Sequence, residues 1–336
     1  MRSQFEKTLT EFREDDFTNE TIWRSIILFG KNTASYKFSL AKGILDLAKQ
    51  GKSVLSYEEL AQAYAPHLLE HYKSGLSQDT RSTDSALATK YKGYVKGDIS
   101  YDELISFTAK NGFNNVVPRF HNVKGGLPFE FYDYNESAKQ LILSDRLYEL
   151  QSESGLLLET EVEARWNLVE TAWNVGIPVN LLEVKIDDSG NELYIEGVDY
   201  RTSVTAARDA LSGYQKGKCF YSNRNIDITN IDVDHFFPVS KQSLHGEYNL
   251  NGVWNLVLAE SSINRSKSDK RADEYYLAKL YERNEFYIAS RHPLGETIAK
   301  QTGSTPERRK QFLKEHNKTA KQYSPIGWKV DPNELS

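Results

Sequence analysis

Residues 219–240 read CFYSNRNIDITNIDVDHFFPVS, and after a polar loop residues 251–269 read NGVWNLVLAESSINRSKSD. Ile231 and Val233 alternate with Asp232 and Asp234, which is a short strand signal. Successive side chains of a strand point to opposite faces, so Asp234 and His235 at its end stand side by side yet address different atoms. Asp234 offers a hard oxygen to a cation. His235, with an ordinary pKa near 6.5, offers a base. Asn255 follows 20 residues after His235 and Asn264 nine after that, in a run with Arg265, Ser266, Lys267 and Ser268. Each feature alone has a plainer reading: a structural Asp-His hydrogen bond, a capping asparagine, a solvated basic helix face. Their order and spacing together carry the chemistry.

That order resembles the HNH endonuclease motif, the ββα-metal finger in which one divalent cation and one histidine cut a phosphodiester bond. The third motif position is Asn264 rather than histidine, and NRSKSD is similar to the ending found in the HNH domains of RNA-guided CRISPR nucleases. The resemblance covers roughly residues 213–272. It implies that His235 is the general base, that Asp234 and Asn264 hold Mg²⁺ or Mn²⁺, and that Asn255 ties down the loop carrying the base. Arg265, Lys267 and Lys270 would then contact phosphate. The chemistry is consistent with this: hydrolysis of an anionic ester needs a cation to offset growing charge and a base to deprotonate water. Hard oxygen ligands in small number suit Mg²⁺, which keeps several waters.

Many HNH domains hold a structural zinc between two Cys-x-x-Cys knuckles. Here the corresponding positions are Cys219 and Ser222, then Glu260 and Ile263. With one cysteine in the chain a Cys₄ site cannot form. We therefore expect no structural zinc and a finger stabilised by Phe220, Phe236, Phe237, Trp254, Leu256 and Leu258.

The chain has 336 residues, enough for two or three domains. No apolar run approaches the roughly eighteen residues that span a membrane. The opening MRSQFEKTLTEFREDD lacks the apolar core of a signal peptide, and a single cysteine permits no intrachain disulfide. A cytoplasmic protein is the expectation. Net charge is −5, unevenly spread. Residues 213–272 carry eight Lys/Arg against six Asp/Glu, and residues 300–329 eight against two. The remainder is acidic. This places phosphate contacts toward the C-terminal end, with Arg308, Arg309 and Lys310 among them, and leaves the acidic N-terminal part for a protein partner.

Along the chain, the first hundred residues read as helical: Phe38, Ala41, Ile44, Leu45 and Ala48 recur at helical spacing, with Gly51 as a stop. Ser56-x-x-Glu59 and Ser100-x-x-Glu103 match capping boxes. Gly30-Lys31 lacks the upstream glycine of a phosphate-binding loop. His67 and His71 lie four apart without an evident third ligand. FEFYDY (129–134) reads as a strand, 137–150 and 159–174 as helices, 181–200 as a hairpin turning at 188–191, and 203–215 as a helix.

The expected fold is α+β: a helical domain over 1–115, a mixed region over 116–202, and an HNH nuclease domain with a basic helical tail over 203–336. The expected activity is metal-dependent cleavage of DNA, double-stranded, in a bacterial restriction or anti-phage setting. Two alternatives stand beside it: a nuclease subunit active only in a larger complex, and a finger that grips nucleic acid without cutting.

Overall fold

A computed structural model describes residues 18–30, 34–79, 84–123, 126–174, 184–186, 192–196, 201–212, 215–227, 229–246, 248–290 and 293–331. Helices and small antiparallel sheets mix in an α+β architecture. The chain divides into two compact units near residue 176, whereas the sequence reading cuts after 115 and 202. The strands explain the difference. Residues 54–56 pair with 140–142 across the first cut, and the second falls inside the strand Arg201–Ala206.

The first unit is built on α1 (Asn19–Phe29), α2 (Tyr36–Lys49), α3 (Tyr57–Lys73) and the 30-residue α7 (Asp145–Asn174). The shorter α4 (Ala86–Lys96), α5 (Tyr101–Phe107) and α6 (Phe113–Arg119) lie between them in sequence. Gly51 ends α2 at φ 76°, a left-handed conformation glycine adopts without steric cost. The Ser56–Glu59 capping box starts α3 with both reciprocal bonds made, and Ser100 caps α5 by accepting from the Glu103 N–H at 3.2 Å. Strands β1 (Val54–Ser56), β2 (Tyr132–Asn135) and β3 (Gln140–Leu143) form a sheet in the order β1-β3-β2. The helix expected over 137–150 is therefore β3 followed by the start of α7. Gln140, Leu141, Ile142 and Leu143 alternate outward and inward, and both neighbours take their backbone groups.

Trp23, Phe38, Tyr64, Phe113 and Trp166 fill this unit's core. Charged groups are paired inside it: Arg24 clamps Glu161 with bonds of 2.7 and 3.0 Å. His71 stacks on Trp166 and bonds Glu170 at 2.8 Å and Glu163 at 3.1 Å, while His67 bonds Asp46 at 2.7 Å. Each histidine of that i, i+4 pair thus meets its own carboxylate.

The second unit opens with a three-stranded antiparallel sheet, β4 (Val184–Ile186), β5 (Glu192–Glu196) and β6 (Arg201–Ala206). The ladder pairs Ile186 with Leu193, in keeping with a hairpin there. The expected turn residues 188–191 and Lys31 lie outside the described residues. Helix α8 is short (Ala207–Ser212), because 201–206 joins the ladder beside β5 instead of extending the helix. Strands β7 (Ile231–His235) and β8 (Leu256–Glu260) then make an antiparallel ribbon, and α9 (Ser261–Lys267) leaves directly from it. Helices α10 (Glu274–Ala289), α11 (Pro293–Thr302) and α12 (Pro306–Tyr323) follow. The stretch after α12 docks as irregular chain: Trp328 exchanges backbone hydrogen bonds with Arg271 and Asp273 at 2.8 and 2.9 Å. Its ring packs on Tyr221 at 5.2 Å.

Candidate active site

Phe220, Phe236, Phe237, Trp254, Leu256 and Leu258 are all buried to 2% exposure or less, so the ribbon has an apolar floor of its own. The outer edge of β8 is closed by protein groups. Leu258 donates its N–H to the Gln215 side chain at 2.8 Å, and its carbonyl accepts from Gln215 Nε2 at 3.0 Å and Phe220 N–H at 2.9 Å. This satisfies backbone groups that an edge strand leaves open.

Where zinc knuckles stand in other fingers, the chain makes a polar clamp. Cys219 and Arg224 close a tight turn through Cys219 N–H to Arg224 O at 2.8 Å, with Asn223 at φ 61°. Arg224 grips Glu260 in bidentate fashion at 3.1 and 2.5 Å, and Ser222 Oγ donates to the same carboxylate at 2.6 Å. The sulfur of Cys219 accepts from Glu260 N–H at 3.5 Å. Three of these groups, Cys219, Ser222 and Glu260, occupy knuckle positions. A charge-assisted bidentate pair is the strong form of hydrogen bond.

Period-2 alternation puts Asp232 and Asp234 on one face of β7. Helix α9 meets that face with residues spaced three apart: Ser261 donates to Asp232 at 2.9 Å, Asn264 Nδ2 to Asp232 at 3.1 Å, and Lys267 to Asp234 at 3.0 Å. Asn264 lies one turn into the helix rather than at its start. Asp234 is 6% exposed and also accepts from the Tyr221 hydroxyl at 2.6 Å. Burial and the neighbouring carboxylate push the Tyr221 phenol well above its usual range, so it remains a donor.

His235, at the end of β7, takes a different partner. Its Nε2 lies 2.9 Å from Asn251 Oδ1. An amide oxygen only accepts, so Nε2 carries the hydrogen and the neutral ring presents Nδ1 as its basic atom. Burial lowers the His235 pKa; Asp234 and the Asn251 bond pull it the other way. The result is a mostly neutral imidazole at pH 7. Asn255, fully buried, receives Phe237 N–H at 2.8 Å and donates to the carbonyls of Phe237 and Leu250, each at 2.8 Å. It fastens the segment that follows His235 to the loop before β8.

The basic residues divide. Arg265 and Lys270 are exposed beside the site, and Arg308 and Lys310 are exposed on α12. Lys267 and Arg309 are not on the surface. Lys267 is 0% exposed, and Arg309, 6% exposed, is bound to Glu285 at 2.5 and 2.6 Å and to the Gly303 carbonyl at 3.1 Å. In this conformation neither is placed to meet a phosphate. Their counterions explain it: a buried carboxylate draws the nearest long cationic side chain inward.

Asn251, Tyr221 and Ser261 complete the site without belonging to the motif. Asn251 sits in a polar loop, and Tyr221 falls between knuckle positions. Only Asp232 carried a signal, its place on the same strand face as Asp234.

Among the described residues no group of three or more His, Cys, Asp or Glu side chains could hold a metal ion. Of the two expected ligands, Asp234 is held by Lys267 and Asn264 bonds Asp232. The oxygens of both are hard, and a sparse oxygen set fits a cation that keeps most of its waters.

An antiparallel ribbon running into a short helix, with a histidine and a carboxylate adjacent at the strand end, defines a ββα finger. Residues 219–272 match the family model for HNH endonuclease. No curated protein and no solved structure matches the chain.

Proposed function

We propose that the finger hydrolyses phosphodiester bonds in DNA, with His235 as general base and Asp234 and Asn264 as the ligands of Mg²⁺ or Mn²⁺. The observation that carries this reading is the His235 geometry. Asn251 fixes the tautomer that leaves Nδ1 able to take a proton from water, and Asn255 fastens the backbone that follows. A divalent cation at Asp234 and Asn264 would offset charge on the phosphate. His235 receives the proton, Asn251 holds the ring, and the exposed Arg265 and Lys270 attract the nucleic-acid backbone. The match of residues 219–272 to the HNH endonuclease model supports the nuclease reading.

Duplex DNA as substrate, a role in restriction or anti-phage defence, and a protein partner for the acidic N-terminal region belong to the same proposal. They rest on the HNH resemblance, on the uneven charge and on the extra helical unit.

The test is incubation of the purified protein with supercoiled plasmid and with RNA, in Mg²⁺, Mn²⁺ or EDTA. Cation-dependent nicking or linearisation of the plasmid supports the reading. Cleavage that persists in EDTA would overturn the metal-dependent mechanism, and binding of DNA without cleavage in every cation would favour a gripping module.

A further inference from the structure

Asp234 already has a cation. The Lys267 ammonium lies 3.0 Å from Oδ1 and 2.9 Å from Oδ2, on the bisecting seat of the carboxylate. It donates a further bond to the His235 carbonyl at 2.8 Å and is completely buried. Tyr221 takes another lone pair of Oδ2 at 2.6 Å. A buried carboxylate without a compensating charge is strongly unfavourable, so the ammonium stabilises Asp234 as the structure stands. An ammonium and a divalent ion at one carboxylate would repel each other across a few ångströms of low-dielectric interior.

We propose that Lys267 is the resident counter-ion of Asp234, that a divalent ion enters only as this ammonium leaves, and that Lys267 thereby sets the metal affinity of the site. The proposal rests on the reading of Asp234 as a cation ligand. The fold supplies a way out for the lysine. Lys267 is the last residue of α9, and Ser268 after it sits at φ 50° and ψ −130°, a strained conformation for a residue with a side chain. The closing turn, with Ser268 N–H on Asn264 O at 2.8 Å and Lys270 N–H on Lys267 O at 3.1 Å, holds that end of the helix. Opening it relieves the strain at Ser268, withdraws Lys267 from Asp234, and loosens the turn that keeps Asn264 on Asp232. One movement would thus make both proposed ligands available together.

The exchange is tested on the full-length protein by Mn²⁺ titration calorimetry, comparing the wild type with Lys267→Met and Asp234→Asn. Removing the competing charge should tighten Mn²⁺ binding about tenfold or more, and Asp234→Asn should abolish it. A second measurement needs only the wild type: acylation of lysines by an amine-reactive ester, read residue by residue by mass spectrometry. Lys267 should be protected without a divalent ion and acylated about tenfold faster or more when Mn²⁺ saturates the site. Equal affinity in wild type and Lys267→Met, or continued protection of Lys267 while Mn²⁺ is bound, overturns the exchange and leaves the ligand role of Asp234 standing. Absence of Mn²⁺ binding in every protein overturns both.

Discussion

His235 Nε2 and Asn251 Oδ1 lie 2.9 Å apart, and this bond decides which ring nitrogen of the histidine can act as a base. Among the described residues of the loop between β7 and β8, Asn251 is the one hydrogen-bonded to the His235 ring. Asn251→Ala should therefore lower the cleavage rate by about tenfold to a hundredfold, the range seen when an orienting partner of an essential histidine is lost. Thermal stability and DNA affinity should hardly move. Plasmid cleavage under single-turnover conditions, with a parallel gel shift, is the check, and an unchanged rate would remove Asn251 from the site.

The clamp at Glu260 should carry part of the load that zinc carries in other fingers. Glu260→Ala strands Arg224 and Ser222 and should cost about 1–2 kcal/mol in urea unfolding, a modest value because Arg224 is 38% exposed. Replacing Ser222, Glu260 and Ile263 by cysteine alongside Cys219 should restore a tetrahedral thiolate site. One tightly held zinc per chain in the variant is the expected metal analysis. None would mean that the knuckle positions no longer converge.

The basic surface can be separated from the buried cations. Lys310, Lys314 and Lys318 are exposed and four apart on α12, about 6 Å from one to the next along the axis. Reversing all three to Glu should weaken DNA binding for every sequence alike and flatten the salt dependence by about 0.9 per lost phosphate contact. Arg309→Glu should instead unfold the C-terminal helices, since it opposes Glu285 with a second buried carboxylate; breaking such a pair costs about 3–5 kcal/mol. Salt-titrated gel shifts and thermal melts distinguish the two. An unchanged slope in the lysine variant would return α12 to scaffold.

Two buried histidine sites, one in each unit, should respond to pH in opposite directions. His245 and His316 stack with their Nδ1 atoms 2.6 Å apart among Phe237, Tyr248, Trp254, Phe312 and Tyr323. Around the neighbouring Tyr323 ring stand Lys241, Arg271 and Asp269. One nitrogen must donate and the other accept, so at least one ring is neutral, and burial favours the neutral form of both. Burial pushes both pKa values down, His316 to about 4 with His245 beside it adding to the shift. The folded unit then binds fewer protons than the unfolded chain between pH 6.5 and 4. Its stability should fall across that window as pH drops, by on the order of 3 kcal/mol. In the first unit, burial alone would lower His71, but hydrogen bonds and charge from Glu163 and Glu170 raise it to about 9. That contribution is complete below pH 6.5 and disappears as pH rises through about 9. Denaturant melts from pH 4 to 10, on wild type, His316→Asn and His71→Asn, should show the acid loss reduced in the first variant and the alkaline loss in the second. Unaltered profiles would contradict both assignments.

The finger was legible in the sequence because its chemistry is local: strand, base, pinning asparagine and helix fall within one short stretch, and period-2 alternation orients them. The capping box at Ser56 was legible for the same reason. The strand at 140–143 and β6 were not, since QLIL and RTSVTA become strands by pairing with partners distant in the chain or beyond a turn. The inward turn of Lys267 and Arg309 was equally hidden. A lysine two residues from an exposed arginine looks like its neighbour until Asp234, on another element, draws it in. Asn251 gave no sign at all, because an asparagine in a polar loop is ordinary until its partner is known.

The most direct measurement is cleavage of supercoiled plasmid by His235→Ala in saturating Mn²⁺. Loss of the general base should slow the single-turnover rate by about 10²–10⁴, with circular dichroism, Mn²⁺ binding and DNA affinity unchanged. A His235→Ala protein that cuts at the wild-type rate would contradict the account.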